Sequence, residues 1–158
     1  MATEDLMERL LDVIDSDAVG SAVDALHLLL DDSTIERDAP PKSVTETAAL
    51  VGLSAHTLRY YEQEGLVRPA RNAAGYREYS AADLRRLVFL TRMRMSGMSM
   101  RDLKRYISLV EQGPATEAQR REIMLAQRDR IRRQLRELTL SLEATEYKLR
   151  SYGGHPEP

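Results

Sequence analysis

The sequence contains no cysteine and no tryptophan, and it has one phenylalanine among 158 residues. Without cysteine the chain can form neither a disulfide nor a thiolate metal site. The histidines, His27, His56 and His155, are scattered, and none belongs to a cluster with the spacing of metal ligands. The sequence also shows no grouping of nucleophile, base or metal-binding residues of the kind that an enzyme requires. We therefore expect no metal, no other cofactor and no enzyme activity.

The chain also has no long apolar run, since no apolar stretch approaches the roughly 18 residues of a membrane span. Residues 1–12 are acidic and amphipathic and do not resemble a secretory signal. The sequence therefore predicts a cytoplasmic protein that does not interact with a membrane. Charged residues make up 30% of the chain and aromatic residues only 5%, a balance typical of long exposed helices.

The net charge of −2 hides a strong asymmetry along the chain. Residues 1–41 hold 11 acids and 2 bases, residues 42–105 hold 12 bases and 6 acids, and the remainder holds 9 bases and 8 acids. The three segments therefore carry −9, +6 and +1. A basic middle segment beside an acidic arm indicates that the middle segment binds an anionic partner such as nucleic acid.

Two short helices separated by a glycine are predicted in the basic segment. Apolar residues recur at helical spacing over Val44–Val51, and Gly52 breaks the pattern. Ser54 is a good N-cap for the second helix, because its hydroxyl can accept an orphan backbone N–H, and Gly65 suits the left-handed residue that closes it. Such a pair forms a helix-turn-helix, whose second helix lies in the DNA major groove.

The motifs that follow are more specific. Residues 68–79 combine Pro69 and Gly75 with alternating large side chains, which predicts a basic hairpin, or wing. The motifs Thr57-Leu58-Arg59-Tyr60-Tyr61-Glu62, Gly65-Leu66, Pro69 and Gly75-Tyr76-Arg77-x-Tyr79 resemble the DNA-binding domain of the MerR family of transcriptional regulators over about residues 42–113.

The candidate DNA contacts lie on the second helix and the wing. Phosphate contacts supply most of the affinity and base edges supply sequence preference, so Arg59 can reach either a guanine or a phosphate. We expect one of Tyr60 and Tyr61 to touch phosphate and the other to pack inward. The resemblance favours Arg77 as the main wing contact, although a solvated arginine is the alternative. The predicted DNA-binding residues are Ser54, His56, Thr57, Arg59, Tyr60, Tyr61, Arg71, Asn72, Tyr76, Arg77, Tyr79 and Arg101.

Two further helices follow the wing. Ser80 and Asp83 predict a capping box for a helix that ends near Met95, and Ser99 predicts the start of another. This pair resembles the second, helical wing of the family, with Arg94, Arg101, Lys104 and Arg105 as candidate phosphate contacts. The methionines Met93, Met95, Met98 and Met100 are interpreted either as adaptable core filling or as a ligand surface.

A long uninterrupted helix is predicted to Tyr152, with Thr116 as its cap, and about 36 residues give roughly 54 Å. Apolar positions recur at alternating steps of four and three, a coiled-coil seam that a lone helix cannot bury. Homodimerisation is expected, and the resemblance implies an antiparallel coiled coil; packing on the amino-terminal arm is the alternative. The predicted seam consists of Ile131, Leu135, Leu138, Leu142, Thr145, Leu149 and Tyr152.

Residues 1–41 lie outside the resemblance. Helical spacing predicts amphipathic helices near 4–15 and 18–30, followed by a Pro-stiffened linker. Three interpretations remain: a plain helical appendage, a regulatory arm whose carboxylates compete with phosphate, or a docking site for a partner.

The predicted organisation is mostly α. An acidic arm (1–41) precedes a winged helix-turn-helix (42–113), a dimerisation helix (114–152) and a flexible tail (153–158), and no separate effector domain is expected. The resemblance implies a homodimeric regulator that acts with RNA polymerase on double-stranded promoter DNA by bending and untwisting the spacer. Metal sensors of the family use cysteines, which this sequence lacks, so its effector stays open. The alternative is a nucleoid-associated or partner-tethering DNA-binding protein controlled through the acidic arm.

Overall fold

The computed structural model describes residue Glu8 and residues 39–153. Except for Glu8, the predicted arm helices lie outside the described residues, and so does the tail beyond Gly153. The chain divides into two compact units, Met1–Ser108 and Leu109–Pro158. In chain order the described elements are α1 (Val44–Val51), α2 (Ala55–Gln63), β1 (Ala70–Arg71), β2 (Arg77–Glu78), α3 (Ala81–Met95), α4 (Met100–Glu111), a 3-10 turn (Pro114–Thr116) and α5 (Glu117–Tyr152).

The helix starts of the first unit are set by serine caps. Ser43 accepts a hydrogen bond from the backbone N–H of α1, and Ser54 does the same for α2. Ser80 and Asp83 form the reciprocal capping box of α3, and Ser99 accepts from the first turn of α4 at 3.1 Å. Each cap satisfies donors that the helix itself leaves unpaired.

The turn between α1 and α2 and the end of α2 both depend on left-handed glycines. Gly52 has φ 69° and Gly65 has φ 73°, conformations that L residues with a Cβ seldom adopt. The amide of Leu66 then donates to the carbonyl of Tyr61 at 2.9 Å, which closes the last turn of α2.

The wing is a small antiparallel hairpin in which Arg71 pairs with Arg77. The amide of Asn72 donates to the carbonyl of Tyr76, and that of Gly75 donates to the carbonyl of Asn72, both at 2.9 Å. Gly75 has φ 85°, so the loop is a tight turn closed by a left-handed glycine. The segment before α1 also pairs with the hairpin, which the sequence did not predict. Lys42 forms an antiparallel bridge with Tyr79 through two backbone hydrogen bonds.

The core of the first unit lies between the helices. α1 packs against α2 and α3. Leucines of α2, α3 and α4 are fully buried, among them Leu58, Leu84 and Leu103. Met98 is buried while Met93, Met95 and Met100 are half-buried, and Phe89 stacks on Tyr106 with ring centroids 5.0 Å apart.

The second unit is dominated by α5, which has 36 residues. Thr116 occupies the N-cap position of α5, as predicted, but it makes no side-chain capping hydrogen bond. Its hydroxyl donates to the carbonyls of Leu109 and Gly113 instead. Ile123 and Gln127 are buried, whereas every residue from Arg132 to Gly153 is exposed. Within the described range, no helix is long and apolar enough to cross a bilayer.

Candidate nucleic-acid interface

The outer face of α2 carries His56, Arg59 and Tyr60, all exposed. These positions are three and four residues apart and therefore share one helical face. Leu58 and Tyr61 lie on the other face and are buried. The helix thus presents a cation and two polar rings outward while its apolar residues fix it to the core.

Two of the predicted contact residues hold the start of α2. The Ser54 hydroxyl accepts from the backbone N–H of Thr57 at 3.0 Å, and the two hydroxyl oxygens lie 2.9 Å apart. Ser54 is exposed and Thr57 is half-buried. Ser54 and Thr57 therefore fix the amino-terminal end of α2, close to the exposed side chains of this helix.

The adjacent tyrosines of α2 have different environments. Tyr60 is 39% exposed, whereas Tyr61 is 5% exposed, so Tyr61 is the residue that packs inward. Burial raises the pKa of the Tyr61 phenol, an effect that the charge of Arg94 partly offsets. Tyr61 therefore supports α2 from inside, and Tyr60 is the one available to a ligand.

The inclusion of Tyr79 in the contact set also needs correction, since its side chain is fully buried. Alternate residues of a strand share a face, so Tyr79 points to the same side as Arg77, the side turned toward α2. Burial raises the pKa of the Tyr79 phenol, and the carboxylate of Glu62 raises it further. Tyr79 is therefore a core residue and not a contact to the DNA backbone.

The wing tip is held by its own side chains. The side-chain Oδ1 of Asn72 accepts from the backbone amides of Ala74 and Tyr76, both at 3.0 Å, and the Arg71 guanidinium donates to the backbone carbonyl of Gly75 at 2.9 Å. Arg71 is exposed and Tyr76 is 73% exposed. The tip therefore presents a cation and a phenol, while Asn72 stabilises the turn.

Ion pairs join the end of α2 to its neighbours. Arg77 of the wing donates through Nε to Glu62 at 2.5 Å, and both side chains are about one quarter exposed. Lys104 of α4 pairs with Glu64 in the same way. The sequence pattern predicts a DNA-backbone contact for Arg77 and no role for Glu62, because the two residues are 15 positions apart and no local motif signals their ion pair.

The α3–α4 region divides the predicted cations further. Arg94 donates to the carbonyl of Met98 at 2.6 Å and closes the turn between the helices, whereas Arg101 and Arg105 are exposed. Among the described residues, no cluster of metal-ligand side chains occurs. Exposed cations therefore lie on α2, on the wing and on α4.

Comparison with known proteins decides the family. Residues 42–109 match the family described as MerR HTH family regulatory protein. The HTH-type transcriptional regulator HmrR of Rhizobium leguminosarum bv. viciae is 34% identical over 116 residues, which are 73% of this chain and 90% of that protein. The chain belongs to the MerR family.

Solved MerR structures share the same fold. HiNmlR, a MerR family regulator lacking the sensor domain and bound to promoter DNA, is 32% identical with a TM-score of 0.63, over 73% of this chain and 92% of that one. A MerR-family structure from Listeria monocytogenes is 32% identical with a TM-score of 0.66, over 72% and 87%. The prediction of a mostly α winged helix-turn-helix with a long carboxy-terminal helix is confirmed. As a MerR protein, the chain is a DNA-binding transcriptional regulator and not an enzyme.

Proposed function

We propose that this MerR protein is a homodimer that binds a double-stranded promoter sequence-specifically and regulates it by bending and untwisting the spacer for RNA polymerase. The observation that carries the proposal is the outward face of α2 beside a basic wing, held together by the Glu62–Arg77 pair. HiNmlR, which resembles this chain over most of its length, is bound to promoter DNA.

We assign DNA binding, dimerisation and modulation to three segments of the chain. Residues 42–113 bind DNA, residues 114–152 form the dimer, and residues 1–41 are an appendage that modulates either activity. Arg59 and Tyr60 enter the major groove, Arg71 and Tyr76 meet the backbone from the wing, and Arg101 adds a phosphate contact from α4. Since the sequence has no cysteine, its effector is not sensed by a thiolate metal or redox site.

The first test is a fluorescence-anisotropy titration on a duplex from upstream of the protein's own gene. Arg59→Ala should weaken binding by about 5- to 150-fold, because a base or phosphate contact of this kind is worth about 1–3 kcal/mol. Arg133→Ala is the matched control, since it removes the same charge from an exposed site on α5. Equal losses in both variants would argue against a recognition role for Arg59.

The second test addresses the deformation of the DNA. Gel mobility of the complex should depend on where the site lies within fragments of equal length, because a bend at the centre slows migration most. A footprint should cover one short promoter spacer. Uniform mobility together with broad, low-specificity protection would instead favour the nucleoid-associated or tethering alternative.

A further inference from the structure

The fully buried side chain of Tyr79 ends in a hydroxyl that has no hydrogen-bond partner among the described residues. A hydroxyl that leaves water without gaining a new partner lowers stability, and phenylalanine would fill the same space without this penalty. Buried polar groups are almost always paired, so an unpaired one calls for an explanation. Over its described residues, the free protein thus leaves the Tyr79 hydroxyl as an unused donor.

Charged side chains of three elements act on this phenol. Burial raises the pKa of Tyr79 most, and the next largest effect comes from Glu62 of α2, which raises this pKa further. Arg77 of β2 and Arg59 of α2 lower the pKa of the phenol, whereas Asp83 of α3 raises it. The unpaired hydroxyl therefore lies within electrostatic range of α2, the wing and the start of α3.

The two carboxylates near the phenol differ in what they already accept. Oδ2 of Asp83 accepts from the backbone amide of Ser80 at 2.9 Å and from its hydroxyl at 3.0 Å, as part of the cap of α3. Glu62 accepts from Arg77 through Oε2 at 2.5 Å, and its other oxygen adds acceptor sites, since a carboxylate offers about four. A donation to Glu62 leaves the cap of α3 intact, so Glu62 is the better acceptor for Tyr79.

Arg77 connects Glu62 to the DNA in the proposed complex. It donates to Glu62 through Nε, which leaves the two terminal nitrogens of the guanidinium for a further acceptor. Arg71, its partner across the hairpin, is exposed, so this part of the wing lies at the surface. A phosphate bound by the terminal nitrogens of Arg77 shares the guanidinium charge with Glu62.

The same phosphate makes the charge of Glu62 more costly. It brings a second negative charge toward a carboxylate that is only about one quarter exposed. Repulsion between like charges is strong in a poorly solvated site, and each hydrogen bond that a carboxylate accepts there stabilises its charge. The unused donor of Tyr79 is within range of this carboxylate, so the complex is stabilised when the two pair.

We propose that DNA binding brings the buried hydroxyl of Tyr79 onto the carboxylate of Glu62, which then accepts from Tyr79 and Arg77 together while Arg77 holds a phosphate. Tyr79 is thus a positioning residue, since it acts through Glu62 and Arg77 and does not touch the DNA. This role rests on the proposed promoter binding, to which it adds a hydrogen bond that forms inside the protein only in the complex.

Tyr79→Phe tests this role, because stability and DNA affinity should respond in opposite directions. In the free protein the variant removes an unpaired hydroxyl, so the melting temperature should stay the same or rise. In the complex it removes a hydrogen bond to a charged group, so Kd for the upstream duplex should rise about tenfold in anisotropy titrations. Tyr106→Phe is the matched control, since it removes a half-buried phenolic hydroxyl from α4 and should leave Kd unchanged.

Either of two results with Tyr79→Phe would overturn the proposal. An unchanged Kd would show that the hydroxyl gains nothing in the complex. A melting temperature lowered by several degrees would show that the hydroxyl already has a partner in the free protein.

A double-mutant cycle tests whether Tyr79 acts through Glu62. In the Glu62→Gln background the acceptor is neutral, so Tyr79→Phe should raise Kd much less than tenfold. Losses that simply add would mean that the two residues affect DNA binding independently, and the proposed hydrogen bond would be wrong.

Nuclear magnetic resonance of the full wild-type chain, with tyrosine isotope-labelled at Cζ, observes the hydrogen bond directly. The Tyr79 signal, assigned by its loss in Tyr79→Phe, should shift when the duplex is added, and this shift should shrink in Glu62→Gln. The Tyr106 signal should stay in place. A wild-type chain that binds no upstream duplex would refute the proposed promoter binding and this role with it. A complex that forms with an unshifted Tyr79 signal would refute only the role of Tyr79.

Discussion

At the scale of single residues, the four tyrosines of α2 and the wing divide into two kinds. Tyr60 and Tyr76 keep their hydroxyls at the surface, whereas Tyr61 and Tyr79 are buried. The Tyr79 hydroxyl has no hydrogen-bond partner among the described residues. Buried phenols resist ionisation, because a phenolate loses its solvation in the core.

Burial of these tyrosines predicts a loss of stability at alkaline pH. Their folded pKa values lie above the ordinary value of about 10, so their neutral forms stabilise the fold fully below pH 10. Above that pH the unfolded chain ionises first, and the free energy of unfolding falls as pH rises toward the folded pKa. Urea denaturation between pH 7 and 11 should show this decline, and Tyr79→Phe should reduce it. Tyr76→Phe is the exposed control and should leave the slope as in the wild type.

At the scale of elements, the wing depends on one backbone conformation. Gly75 has φ 85°, and an added Cβ there would meet no atom within 4 Å, so a substitution is penalised by backbone strain rather than by a clash. Gly75→Ala should cost about 1–2 kcal/mol of wing stability and weaken DNA binding. Gly75→Asn should cost less, because asparagine tolerates the left-handed region. Equal affinity losses in the two variants would contradict a conformational cause; thermal melts and anisotropy measure both effects.

The contact between the wing and α2 gives a prediction of unusual sign. Glu62→Gln removes a negative charge near the DNA, so electrostatics alone would tighten binding. We expect binding to weaken several-fold instead, because Arg77 loses the partner that aligns the wing with α2. Glu78→Gln removes the same charge from the neighbouring strand position and should leave affinity unchanged or slightly improved. Tighter binding by both variants in anisotropy titrations would show that the pair does not position the wing.

At the scale of the whole molecule, one chain combines an acidic arm with a DNA-binding segment of opposite charge. Residues 1–41 carry −9 and residues 42–105 carry +6. If the arm competes with phosphate, a shortened chain beginning at Lys42 should bind DNA more tightly and with a steeper salt dependence than the full chain. Equal titrations at two salt concentrations would exclude competition and leave the arm to partner docking or plain packing. Circular dichroism of the shortened chain controls for its folding.

Local features were predictable from the sequence because the interactions that produce them join residues close together in the chain. Capping bonds span three residues, so Ser54 and Ser80 marked the starts of α2 and α3, and Gly52 and Gly65 marked the turns. The seven-residue periodicity of α5 likewise follows from helical geometry alone. These features, together with the family motifs, determined the winged helix-turn-helix and the long helix.

Which of these residues face outward was decided only by the tertiary structure. Tyr60 and Tyr61 are neighbours of the same type, and packing against the core made one a surface residue and the other a buried one. Strand alternation and the approach of the wing to α2 buried Tyr79 and paired Arg77 with Glu62 across 15 residues. The sequence predicted that Thr116 caps α5, but its hydroxyl donates hydrogen bonds to the carbonyls of Leu109 and Gly113 and none to the backbone of α5. For the tyrosines and for Arg77 the deciding contacts lie outside the local pattern, so they are set by how the elements pack together.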